Sequence, residues 1–272
     1  MSRQCLTGDL SLYVAYDGSD SNDGLSAATP FLTLQKSWEW SRDTLDRCGH
    51  SIIVTLKHDA DLANTYAPLH AFGVILGEVV PEQTGTVAPG FQIIGNPNFH
   101  AQCHIHATGT GVNCVTSGYG AAVSVTGCKL TSAGQSALVC YSRGWITAGD
   151  NEFGACAWAH KHACGQNAAI SQKDTIYWIS GSAAFHDLAE DGGKIWNLGN
   201  TPTLVGTPAF SGAFVHANQC GRVDYTGTVF SGSASGKKFD VRSAGGVSVN
   251  GAASYVLPGN AAGVASTSGW YV

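Results

Sequence analysis

From residue 50 onward the chain is a succession of short apolar runs that few hairpin turns join. "SIIVTL", "FGVILG", "FQIIGN", "CHIHAT", "GVNCVT", "AAVSVTG" and "ALVCYS" come first; "TIYWIS", "GAFVHA", "RVDYTGTVF", "KFDVRS" and "GVSVNG" follow. Each is rich in β-branched or aromatic residues and stops at Gly, Ser, Asn or Thr, the signature of strands and turns. Two-residue Asn-Gly or Asp-Gly loops, which join successive strands of a sandwich, are scarce. Strands without partners beside them in sequence must find partners elsewhere, and a solenoid does this by laying each coil on the next. The stretch 50–250 would hold on the order of 8 coils at the short end of known repeat lengths. No strict sequence period accompanies it, so the repeat is structural.

A solenoid exposes backbone and apolar side chains at its ends and needs caps. Helix signals are almost confined to "TPFLTLQKSWEWSRDTLDRCG". Pro30 precedes the run, Thr33 is an N-cap, and Leu34, Trp38, Ser41 and Leu45 follow helical spacing up to a stop at Gly49. The spacing predicts a helix over 34–47 with Trp38 and Leu45 facing a core. The chain then reads as one continuous domain: strand, loop and capping helix over 1–49, coils over 50–250, and a tail or cap over 251–272.

Ahead of the helix, "YDGSDSNDGLSAATPF" gathers Asp17, Asp20, Asn22 and Asp23 with Gly18 and Gly24. An EF-hand loop with Gly24 at its sixth position would start at Ser19 and end at Pro30, where a glutamate is required. A phosphate loop needs Lys after its last glycine. Both patterns fail. Asp and Asn side chains bonding to nearby backbone, with glycines at positive φ, describe a turn.

"LYVAYDGSDSNDGLSAATPFLTLQKSWEW" resembles the opening of phage and prophage tail-spike or tail-fibre proteins. "FSGSASGKKFDV", "LPGNAAG" and the terminal Gly-Trp-Tyr resemble their C-terminal stretch. The resemblance implies an all-β, right-handed parallel β-helix with a short N-terminal capping helix. It further implies a homotrimeric component of a virion or phage-like particle, folded in the bacterial cytoplasm. Its partners would be host surface polysaccharide and other tail, baseplate or head proteins. Some relatives only bind the glycan and others depolymerise it as hydrolases or lyases. No attachment domain precedes residue 10, unlike large tail spikes.

Composition narrows the partners. Charged residues are 12% of the 272 and the net charge is −5, with no basic block for nucleic acid. No segment approaches the roughly 18 apolar residues of a membrane span, and the N-terminus has no signal-peptide core. Nine cysteines (5, 48, 103, 114, 128, 140, 156, 164 and 220), several inside apolar runs, read as reduced, buried thiols.

Four groups could carry chemistry. His104 and His106 in "HIH", and His160 and His162 in "HKH", would share a face on a strand and could ligate a transition metal with a third donor. A histidine ladder between coils fits them more simply, and no cofactor is expected. Asp187, Glu190 and Asp191 beside His186, and Asp150 with Glu152, supply carboxyls that a glycosidase would need in pairs ~5–10 Å apart. Solvated loop acids are the simpler reading. Arg143 and Lys161 are available as lyase bases, though no local pattern supports that role. Tyr141, Trp145, Trp158, Tyr177, Trp178 and Trp196 could offer aromatic faces to sugars. Because Tyr177 and Trp178 alternate, one of them should face outward. With no G-x-S-x-G elbow, zinc motif or dinucleotide fingerprint, a binding role leads over an enzymatic one.

Overall fold

The computed structural model describes residues 3–77, 90–249, 257–266 and 268–272. Within them the chain is a parallel β-solenoid of about six turns with one α-helix near the N-terminus. Three sheets run along it. The ten-stranded sheet is built from Leu10–Val14, Ile52–Leu56, Phe91–Ile94, Ala122–Thr126, Trp145–Ala148, Ala169–Lys173, Lys194–Leu198, Arg222–Asp224, Gly246–Ser248 and Trp270–Tyr271. The five-stranded sheet runs from His104–Ala107 through Lys129–Ser132, Glu152–Cys156 and Trp178–Ile179 to Thr203–Leu204. The nine-stranded sheet runs from Leu69–Phe72 to Val264–Ala265 and includes Ala159–Cys164, Ala183–Glu190 and Ala209–Ala217. The turns are fewer than the eight expected. The tail continues this stack: Gly246↔Trp270 and Val247↔Tyr271 are parallel partners.

Parallel, in-register pairing stacks side chains in columns. Inside the ten-stranded sheet one column reads Leu12, Val54, Ile93 and Val125, followed by Ala148. Inside the nine-stranded sheet Leu69, Val115 and Leu138 lead to Lys161 and Asp187, then to Val215 and Phe239. Burying each aliphatic side chain contributes about 1.5–3 kcal/mol, so these columns hold the coils together. The Lys161–Asp187 step interrupts one of them with charge.

Several strands lie outside the apolar runs. Ala159–Cys164 and Ala183–Glu190 are strands despite "HKH" and "FHDLAE". "FGVILG" is not one: the strand ends at Phe72, and Leu76 makes only an isolated bridge to Asp46.

The helix spans Leu34–Thr44, and the Thr33 side chain caps it by accepting from Lys36 N. It stops before residue 47 because Leu45–Asp46 pairs instead with Gln4–Cys5. Leu34 and Trp38 are fully buried, and the Trp38 indole meets Phe91 edge-on at 5.1 Å. The preceding loop is held by its own side chains. Asp20 accepts from the backbone N–H of Leu32 and Thr33 and from the Thr33 hydroxyl, and Asp23 accepts from Leu25 N and the Thr29 hydroxyl. Gly24 has φ +67°, and a Cβ there would lie 2.2 Å from the Phe31 ring, so the turn reading holds.

The cysteine reading needs two corrections: Cys220 is exposed and Cys164 half-buried rather than buried, and two of the nine are paired. The Gln4–Cys5/Leu45–Asp46 pairing brings Cys5 and Cys48 to a Cα separation of 5.8 Å, and they form a disulfide. Cys103, Cys114, Cys128, Cys140 and Cys156 are free and buried, as expected. Burial pushes the Cys103 and Cys156 thiols up to about 12, which leaves them unreactive.

Candidate functional site on the ten-stranded sheet

Along the ten-stranded sheet Ile146, Ile170, Ile195, Val223 and Val247 point into the core. Their neighbours in sequence therefore point outward. One outward column runs Ala122, Trp145, Ala169, Lys194, Arg222, Gly246 and Trp270. The next carries Ser171, Trp196, Asp224 and Ser248 in register. Adjacent rungs are about 4.8 Å apart, so five steps from Trp145 to Trp270 span roughly 24 Å along the solenoid.

The small side chain of Ala169 lets Trp196 lean toward Trp145. The ring centroids are 5.5 Å apart, and Ala122, Trp145 and Ala169 form an apolar cluster separate from the core. The Trp145 indole N–H donates to Thr147 Oγ1 at 3.0 Å, which fixes its ring. Lys194 Nζ lies 5.9 Å from the Trp196 ring centre, within cation–π range. Asp224 Oδ1 accepts from Thr226 N at 2.8 Å and Thr226 Oγ1 at 2.7 Å. Gly246 has no side chain where a Cβ would lie 2.1 Å from the Trp270 indole, so that ring lies across the strand. Lys194, Trp196, Arg222, Asp224, Ser248 and Trp270 line a cleft of about 300 Å³. It offers aromatic faces, two cations, one carboxylate and a hydroxyl.

Of the aromatics expected to meet sugars, only Trp145 and Trp196 come together here, and Trp145 is 4% exposed beneath its neighbours. Tyr177 is withdrawn: it is fully buried against Phe153 and His186. Trp178, its alternate, is half-buried against His100 on the five-stranded sheet. Trp158 packs edge-on against Phe185 on the outside of the nine-stranded sheet, where Tyr141 also lies. Lys194, Arg222, Asp224 and Trp270 had no sequence signal as site residues; register alone brings them together.

The histidines form no metal site. His104 and His106 both bond the Thr131 hydroxyl of the next coil, at 2.7 and 2.6 Å, and burial lowers His104 to about 4. His160 and His162 do not share a face. His160 is fully buried against Phe153 and His186, whereas His162 bonds Glu190 at 3.2 Å. Among the described residues no group of three or more His, Cys, Asp or Glu side chains could hold a metal.

The acids are also dispersed. Asp187 is not a solvated loop residue; it is fully buried, 3.3 Å from Lys161 Nζ. Glu190 pairs with His162, and Asp191 sits in a turn at φ +52°. Asp150 accepts from Ile176 N, and Glu152 is bridged to Lys129 at 2.9 Å. Arg143 occupies a turn at φ +63°.

No protein-family model, curated protein or solved structure matches the chain. Among the described residues no helix is long and apolar enough to cross a membrane.

Proposed function

We propose that this chain is a receptor-binding spike or fibre component of a phage-like particle. In this reading the outer face of its ten-stranded sheet binds a host surface polysaccharide that carries acidic groups. The observation that carries the binding role is the cleft of Trp196, Trp270, Lys194, Arg222 and Asp224, with Trp196 backed by the buried Trp145. Tryptophan faces suit the apolar faces of sugar rings, and two cations against one carboxylate favour an anionic chain. The particle context rests on the motifs at the two ends of the sequence. Among the described residues Asp224 is the single carboxylate lining the cleft, whereas glycoside hydrolysis needs two. That favours binding without cleavage.

The test is an array of acidic and neutral polysaccharides, read with the purified chain and with Trp196→Ala and Lys194→Ala. Binding to acidic glycans that each variant weakens about tenfold, the ~1.4 kcal/mol of one stacking or cation contact, supports the reading. Binding that neither variant changes refutes the site. Sustained release of reducing ends or unsaturated uronates would replace adhesion with depolymerisation. Light scattering at the single-chain mass of 28.2 kDa would refute a trimer.

A further inference from the structure

Lys161 and Asp187 replace aliphatic residues in one inward column of the nine-stranded sheet, and Gln172 and Asn197 do so in the facing sheet. All four are fully buried. Lys161 Nζ bonds Asn197 Oδ1 at 2.6 Å and Gln172 Oε1 at 3.0 Å, and lies 3.3 Å from Asp187 Oδ1. Asn197 Nδ2 donates to Asp187 Oδ2 at 2.5 Å, and the Tyr225 hydroxyl donates to the same oxygen. Phe153 and Tyr177 present ring faces to the ammonium at 5.6 and 4.9 Å. A donor-only ammonium on one side and an acceptor-only carboxylate on the other fix the orientation of the Asn197 amide: its oxygen faces the lysine and its nitrogen faces the aspartate.

We propose that Lys161 and Asn197 become joined by an intramolecular isopeptide bond, with Asp187 as the proton carrier. A carbonyl bond is about 1.23 Å long, so a nitrogen 2.6 Å from Oδ1 lies no more than about 3.8 Å from Cγ at any angle. That is close to the separation of reacting atoms in a near-attack geometry. Burial lowers the Lys161 ammonium from the ordinary lysine range, against the opposing pull of Asp187, which eases formation of the neutral amine.

The step balances as follows. The Lys161 ammonium gives a proton to Asp187, and the free amine attacks Asn197 Cγ to form a tetrahedral adduct. Asp187 protonates Nδ2 and then takes the remaining extra proton from Nζ. The adduct collapses, the C–Nδ2 bond breaks and ammonia leaves. It takes up the proton from Asp187 and departs as ammonium. One amide nitrogen replaces another, with no oxidant or reductant. Gln172 is the poorer acceptor because its Nε2 donates to Gly149 O, with no carboxylate on the leaving nitrogen. Lys161 and Asn197 lie 36 residues apart on different sheets. The bond would therefore staple one coil to the next in a fold that otherwise opens coil by coil.

The experiment is the intact mass of the denatured, reduced wild-type chain, followed by fragmentation of its proteolytic peptides. The expected result is a loss of about 17 Da, the ammonia released, mapping to a branched peptide that joins Lys161 to Asn197. Lys161→Met should restore the full sequence mass. An unshifted wild-type mass overturns the proposal, and it does so whether or not any variant folds. So does a loss of about 18 Da, which is water leaving an aspartate acceptor. A branch at Gln172, or a loss confined to a linear peptide, overturns it as well.

Discussion

Replacing Trp38 by alanine tests whether the helix closes the end of the solenoid. The side chain is fully buried and sits edge-on to Phe91 at 5.1 Å. Truncating a buried aromatic to Ala costs about 3–5 kcal/mol. The Trp38 indole N–H is buried without a partner, and removing an unsatisfied donor returns about 1 kcal/mol or more of that. The net expectation is a loss of about 2–4 kcal/mol. In a fold whose coils contact only their neighbours, the loss should be local. Hydrogen exchange followed by mass spectrometry reads it. Amides of Ile52–Leu56 and Phe91–Ile94 should exchange roughly thirty- to several-hundred-fold faster, at tenfold per 1.4 kcal/mol. Those of Lys194–Leu198 and Ala209–Ala217 should keep their wild-type rates. Trp38→Phe, which keeps most of the volume and discards the orphan donor, should stay near wild type. Unchanged exchange at the first coils would refute the cap, and equal acceleration along the whole chain would refute coil-by-coil stability.

Three further outcomes follow from specific contacts. His160 is buried neutral, its pKa lowered by burial from 6.5 to about 3. The unfolded chain therefore binds the extra proton between those values, and stability should fall as pH drops from about 6.5 toward 3; urea midpoints against pH should show a shallower slope for His160→Phe. Breaking the Cys5–Cys48 bond frees a 43-residue separation worth about 4 kcal/mol in the chain-entropy account. Cys5→Ser should accordingly lower the thermal midpoint, and reductant should then have no additional effect. Gly246→Ala places a methyl 2.1 Å from the Trp270 indole. It should weaken glycan binding about tenfold by displacing the ring, while circular dichroism stays that of the wild type; undiminished binding would remove Trp270 from the site.

The fold was legible where local chemistry reports it. Thr33 as cap, Trp38 and Leu45 as buried residues and Tyr177/Trp178 as an alternating pair all follow from spacing within a few residues. Ala159–Cys164 and Ala183–Glu190 were not legible, because an apolar run marks a strand only when its inward positions are apolar. Lys161 and Asp187 form an ion pair across one rung, a contact between residues 26 apart in sequence. The Cys5–Cys48 pair was hidden for the same reason: only the parallel pairing of Gln4–Cys5 with Leu45–Asp46 brings the thiols together. The cleft was half visible. Trp196 stands out in the sequence, but its grouping with Lys194, Arg222, Asp224 and Trp270 depends on register, which has no local signature.

Register also decides which outer face is suited to a long, repeating ligand. The nine-stranded sheet shifts register between Ala183 and Phe185, and the five-stranded sheet between Leu130 and Ser132. A bulge bends its strand and re-aims the side chains around it, so neither sheet presents straight outward columns. Their exposed chemistry is also spent internally: His162 on Glu190, Lys129 on Glu152, Trp158 on Phe185. The pairings of the ten-stranded sheet carry no such shift. Its columns stay straight from Trp145 to Trp270, and the Ala169 and Gly246 positions leave room for indoles to lie along the surface. Straight columns set Lys194, Arg222 and Trp270, with Trp196 and Asp224 beside them, in register at a fixed rise, as a linear polysaccharide repeats its units. A bulged column would meet the same chain in register at one point only.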